Sequence, residues 1–183
     1  AWTWITGLVL LLVVFYHGGL TFEDVKSGFG TEDVKSGFGT NALVMIAVTF
    51  LGVFLYDALY KSGLASNVRV VTIISFVLIG VVVYLMKEWA GFSYRSVNIH
   101  LGALFGTNMA FNVWFRIWPA QQKIITAIKG GEAPDGDLVA LAGLRSKHNT
   151  YMSVPLIWTM INQHTESLAG GNFGVTDATN WVP

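Results

Sequence analysis

The sequence predicts an all-α integral membrane helical bundle of about five transmembrane helices, and three observations predict it. Of the 183 residues, 53% are hydrophobic and only 12% are charged. A soluble domain carries about 25% charged residues, so lipid is the solvent that suits this composition. Five apolar stretches reach or approach the ~20 helical residues that cross a ~30 Å hydrocarbon layer. The continuous β-branched run VRVVTIISFVLIGVVVYLM has no charge beyond its one Arg. A buried strand is rarely so long, and backbone groups in lipid must be satisfied within the segment, which favours a helix.

The first stretch, Ala1–Tyr16, begins AWTWITG without Met or a basic leader and is already apolar at its first residue. It does not read as a signal peptide, and the bundle is expected to be incomplete at its N-terminus. The second and third stretches are Ala42–Tyr60 and Val70–Met86, and the fourth is Val97–Trp118. Gly102, Gly106 and Ala110 recur at four-residue spacing in the fourth, a smooth strip that lets another helix approach closely. Trp114 and Trp118 form an interfacial belt before Pro119, and Lys123, Lys129 and a turn over 130–136 lead back toward the last helix. That helix is Tyr151–His164, extended backward toward Arg145. Residues 1–168 form the transmembrane domain in this reading, and 169–183 form a polar C-terminal tail.

Between the first two helices, EDVKSGFGT occurs twice in succession, Glu23–Thr31 and Glu32–Thr40. Solenoids need at least three longer units, so the duplication is read as an insertion in a tolerant loop and carries no function.

Five crossings put the loops over 18–40 and 87–96 and the tail on one side. That side holds Lys26, Lys35, Lys87 and Arg95 against Glu23, Asp24, Glu32, Asp33, Glu88, Glu166 and Asp177. The other side holds Lys61, Arg69, Arg116, Lys123, Lys129, Arg145 and Lys147. By the positive-inside tendency the cationic side is cytoplasmic, which leaves the tail in the periplasm of a bacterial inner membrane. A net charge of zero removes the case for nucleic acid from bulk charge.

There is no cysteine, so disulfides, thiolate zinc sites and covalently attached haem are excluded within this chain. No GxxxxGK[ST], HExxH or GxSxG motif supports nucleotide hydrolysis, zinc proteolysis or serine hydrolysis. The chemistry-bearing residues are four histidines, each at a predicted membrane boundary: His17, His100, His148 and His164. An interfacial anchor is the bland role for any one alone. The topology places His17, His100 and His164 at the periplasmic rim, and a b-type haem needs two facing imidazoles. His100 with His164 is the preferred pair about the haem iron, with His17 an alternate or supporting group.

His148 lies 16 residues before His164, and sixteen steps of ~100° turn the two side chains about 160° apart. It either serves a second cofactor site with another helix or joins Arg145 and Lys147 as a cytoplasmic anchor. Asp57, Asn108 and Asn112 are expected to face the bundle and hydrogen-bond. Met109, Met152 and Met160 read as core residues rather than axial ligands.

The blocks AWTWITGLVLLLVVFY, LGVFLYDALYKSGL, NIHLGALFGTNMAFNVWFRIWPAQQKI, KGGEAPD and RSKHNTYMSVPLIWTMINQH together resemble, in this order, the membrane domain of the bacterial cytochrome-c-linked urate oxidase (urate hydroxylase) family. The likeness covers most of Ala1 to His164. It implies urate oxidation with electrons passed to a cytochrome c, a further membrane helix upstream, and histidine at His100, His148 and His164; His17 has no clear counterpart. The family's membrane domain is followed by a periplasmic c-type cytochrome. This chain has no cysteine for such a haem, so its cytochrome c or other redox subunit is expected to dock in trans, on the acidic outer face.

A planar, anionic purine wants Arg and amide groups converging beneath an aromatic wall, and on the outer face Arg95, Asn98 and Phe92 are such a set. The competing function is a non-catalytic subunit of a larger respiratory or photosynthetic membrane complex. A transporter is disfavoured by the few buried charges and the lack of an inverted repeat.

Overall fold

The computed structural model describes residues 2–18, 21 and 39–164. Apart from its last two residues the EDVKSGFGT duplication lies outside them, as does the tail 169–183. The described residues form five helical rods in antiparallel succession. The first is α1 (Trp2–Leu11), continued by a π-helical turn over Leu12–His17. The second is α2 (Thr40–Lys61), and a 3₁₀ turn over Gly63–Ser66 leads to α3 (Val68–Tyr84), which a π turn extends to Trp89. The fourth is α4 (Tyr94–Asn112), which runs on through a π turn, Val113–Ile117, into α5 (Trp118–Lys129). The fifth is α6 (Gly136–Asn162).

The rod bearing α4 and α5 continues beyond the expected end at Trp118. Pro119 lies in the first turn of α5, where its missing N–H costs no intrahelical bond. The last rod also starts earlier than expected. Asp135 caps it by accepting from the Asp137 N–H at 2.8 Å, and α6 then runs unbroken through Pro155. At the other end of the bundle the Ser93 hydroxyl caps α4 by accepting from the Ser96 N–H at 3.1 Å. The tight turn before it uses Gly91 at φ +66°, a backbone conformation that other residues rarely adopt.

α4 is the central stave. It packs along α6 and α2, with α1 lying against a third side. The core joins Leu11, Tyr16, Met45, Met86, Val97, Leu101 and Phe105 from four of the rods. Gly102 lets α6 come close, because a Cβ there would stand 3.0 Å from Thr159 Oγ1 and 3.6 Å from Leu156 Cδ1. Gly106 meets nothing within 4 Å and opens instead on a groove of about 670 Å³ between α1 and α4, which Ala110 also lines. The expected smooth strip therefore divides, with one residue at a helix crossing and the other two on an open groove.

Two helical segments, Thr40–Lys61 and Val68–Trp89, are long and apolar enough to cross a membrane, and Trp2–His17 is a shorter apolar helix. α4 and α6 fall short of that measure because polar residues punctuate them. Those of α4 turn inward: Ser96, Asn98, His100, Asn108 and Asn112 are all buried. The outward surface is apolar, with Phe54, Phe76, Ile73, Val154 and Tyr151 all exposed. Of the methionines, Met152 packs against the core, whereas Met160 is 59% exposed, a correction to its expected core role that follows from its place on the outer face of α6.

Candidate functional site

Polar side chains gather at the two ends of the bundle. At the first end, His100 is fully buried nearly two turns into α4. Its Nδ1 lies 2.6 Å from the Ser96 carbonyl oxygen, an acceptor, so Nδ1 carries the proton. Nε2 is then an acceptor, and the Tyr16 hydroxyl donates to it at 2.5 Å. Phe15 and Phe92 close round the ring, the latter with centroids 4.7 Å apart. A strap finishes the enclosure: Thr21 donates to the Phe15 carbonyl from its hydroxyl at 2.5 Å and accepts from the Ser93 N–H at 2.9 Å.

A metal-ligating histidine commonly donates one ring N–H to a carbonyl and offers the other nitrogen to the metal. His100 has that tautomer, and the Tyr16 hydroxyl stands where an iron would. His164 follows the end of α6 and is exposed, and no hydrogen bond or ring contact links it to His100. His17 is exposed beside the buried Tyr16. Of the outer-face set, Phe92 and Asn98 are buried and Arg95 is exposed. Tyr16 is the functional neighbour that the sequence did not single out, and its place one residue from His17 at the end of the same helix was the signal.

The second end holds a larger network centred on Asp57, in the last turn but one of α2. Arg116 reaches it from the π turn after α4, with Nε donating to Oδ1 at 3.0 Å and Nη2 to Oδ2. Arg145 of α6 donates from Nη2 to Oδ1 at 2.9 Å, and Lys61 lies 2.9 Å from Oδ2. Three cations thus surround one carboxylate. Arg145 is 2% exposed, with its guanidinium 5.3 Å from the Tyr56 ring centre and 5.9 Å from that of Tyr60. Its Nε has no hydrogen-bond partner.

Asn112 extends the network. Its amide donates to the Tyr56 hydroxyl at 2.8 Å and to Asn149 Oδ1 at 2.9 Å, and Asn149 donates to the Met109 carbonyl at 3.1 Å. Tyr56, having accepted from Asn112, gives its only proton to His148 Nδ1 at 2.8 Å. Nε2 is therefore the protonated nitrogen of His148. His148 also stacks on Tyr60 at 4.3 Å between ring centres.

Tyr56, Tyr60 and His148 also line a cavity of about 220 Å³ bounded by α2, α3, α4 and α6. Tyr56, Tyr60, Asn108 and His148 supply polar groups, and Phe105 and Met152 stand among its apolar walls. The sequence anticipated an inner-rim role for His148 beside Arg145 and Lys147. It did not foresee that Tyr56 and Tyr60 of another helix receive it. Among the described residues no group of three or more His, Cys, Asp or Glu side chains is arranged to hold a metal ion.

A family model described as the urate oxidase N-terminal domain matches residues 1–180. Searches of curated proteins and of solved structures give no significant match. Matched over nearly its whole length by that model, the chain belongs to the urate oxidase N-terminal family.

Proposed function

We propose that the chain is the membrane domain of a urate-oxidising redox system of the bacterial inner membrane, with its C-terminal tail on the periplasmic side. The observation that carries this reading is the family match over residues 1–180. The apolar outward surface and the two spanning-length helices support the membrane setting. In the overall reaction urate takes up one oxygen from water and releases two protons and two electrons. Two ferric cytochromes c each accept one electron, docking in trans at the end bearing His100.

A haem b held by His100 and His164 belongs to this proposal as the electron carrier, and would supply one-electron chemistry between donor and cytochrome. The His100 tautomer suits it, but the Tyr16 hydroxyl would have to leave Nε2, since one lone pair cannot serve both.

Membranes carrying the full chain are expected to reduce added ferricytochrome c when urate is supplied, above membranes that lack the chain. Equal rates would sink the reading. The groove beside Gly106 favours a second role, as a subunit packed against another membrane helix. Isolation only with respiratory or photosynthetic partners, with no urate-dependent reduction, would select it.

A further inference from the structure

We infer that the cavity between α2, α3, α4 and α6 binds the substrate, and that it selects a planar, singly anionic, two-ring heterocycle with amide edges. The assignment rests on urate oxidation as the proposed activity, and four observations at the cavity carry it.

The first is size. About 220 Å³ equals roughly seven waters at ~30 Å³ each, room for a small fused-ring molecule. It is below the ~300 Å³ at which drug-sized pockets begin.

The second is charge. Lys61, Arg116 and Arg145 outnumber the single carboxylate of Asp57, leaving two positive charges without a counter-ion in the network. The Arg145 guanidinium lies against the rings of Tyr56 and Tyr60, which themselves line the cavity. Lys61 is largely exposed and Arg116 partly so, which leaves the buried Arg145 as the charge that attracts an anion, and it does so without direct contact.

The third is an unmet hydrogen bond. Asn108 is 6% exposed and lines the cavity, yet its Oδ1 has no partner. A buried carbonyl oxygen left unpaired costs about 1–3 kcal/mol, and a ligand N–H would relieve it. The fourth is a donor in position. His148 keeps its Nε2 proton because Tyr56 occupies Nδ1, and its ring lines the cavity. Asn108 thus supplies an acceptor for a ring N–H and His148 a donor for a ring carbonyl, with Phe105 and Met152 against the flat faces. Arginine, amide and aromatic groups meet here, at the opposite end of the bundle from Arg95.

The test is equilibrium binding of urate and of xanthine to the purified full chain, with urate-dependent cytochrome c reduction measured in parallel. At mildly acidic pH urate is an anion and xanthine, of nearly the same shape, is neutral. Urate should bind at least about tenfold more tightly. Asn108→Ala should weaken urate about tenfold, and the near-isosteric Asn108→Asp, which sets a like charge on the ligand, should abolish binding. Unchanged urate affinity in Asn108→Asp and His148→Ala would place the substrate elsewhere and overturn the inference, even with cytochrome reduction intact. Binding of xanthine as tight as urate would overturn the charge selection. Asn108-dependent urate binding without cytochrome reduction would support the site and remove the proposed oxidase activity.

Discussion

Arg145 Nη2 lies 2.9 Å from Asp57 Oδ1, joining α6 to α2 across 88 positions of the chain. The two partners are not equally replaceable. Arg145→Met leaves the carboxylate with Arg116 and Lys61, whereas Asp57→Asn leaves three cations facing one another. Breaking a buried pair costs about 3–5 kcal/mol. Asp57→Asn should stand at the upper end and Arg145→Met at or below the lower. Thermal melting of the two variants in detergent measures the order, and a lower melting temperature for Arg145→Met would contradict it.

Tyr16→Phe removes the hydroxyl from His100 Nε2 and leaves a buried acceptor, with an expected loss of about 1–3 kcal/mol. The same change clears the position an iron would take. If the proposed haem b binds through His100, its reduced-minus-oxidised band should be retained or strengthened in Tyr16→Phe and lost in His100→Ala. No band in the parent chain or in Tyr16→Phe would end the haem proposal.

Gly102 and Gly106 are one helical turn apart and should respond in opposite ways. Gly102→Val would thrust a branched side chain at Thr159, whose hydroxyl is held by the Leu156 carbonyl at 2.8 Å, and should cost about 1–3 kcal/mol by overpacking. Gly106→Ala meets open space and should gain up to about 1 kcal/mol from helix propensity. Chemical unfolding in mixed micelles distinguishes them.

The absence of cysteine gives labelling experiments a clean background. Glu88 and Ser66 are exposed at the two ends of the third rod. With the proposed orientation, Glu88→Cys should react with a membrane-impermeant thiol reagent applied from the periplasm, and Ser66→Cys only after the inner membrane is permeabilised. The reverse pattern would invert the topology.

The helical rods were legible because apolar runs of the necessary length leave few alternatives. Their ends were less so. Pro119 reads as a stop, yet the first turn of a helix tolerates it, and nothing local in LVALAGL shows that α6 begins before Arg145. Among the site residues, Asp57, Asn108 and Asn112 turned inward as charge and depth require. Their convergence with Tyr56, Tyr60 and His148 depends on how four helices rotate against one another. A helical period shows which side chains share a face, and says nothing of which face another helix will meet. The same limit hid Tyr16: an aromatic residue at a helix end reads as an interface belt until its neighbour on α4 is known.

The order in which Asp57 meets its three cations has a consequence for how the chain is made. Lys61 stands one turn away on the same helix, so the carboxylate has a companion as soon as α2 is coiled. Arg116 follows some sixty residues later in synthesis and Arg145 last, 88 residues on. The acid is thus handed from a local, exposed partner to distant, enclosed ones, and its final clasp closes only when α6 arrives. A chain halted before α6 would lack both this clasp and the α6 wall of the cavity, a nascent state recognisable by protease sensitivity at the end of α2.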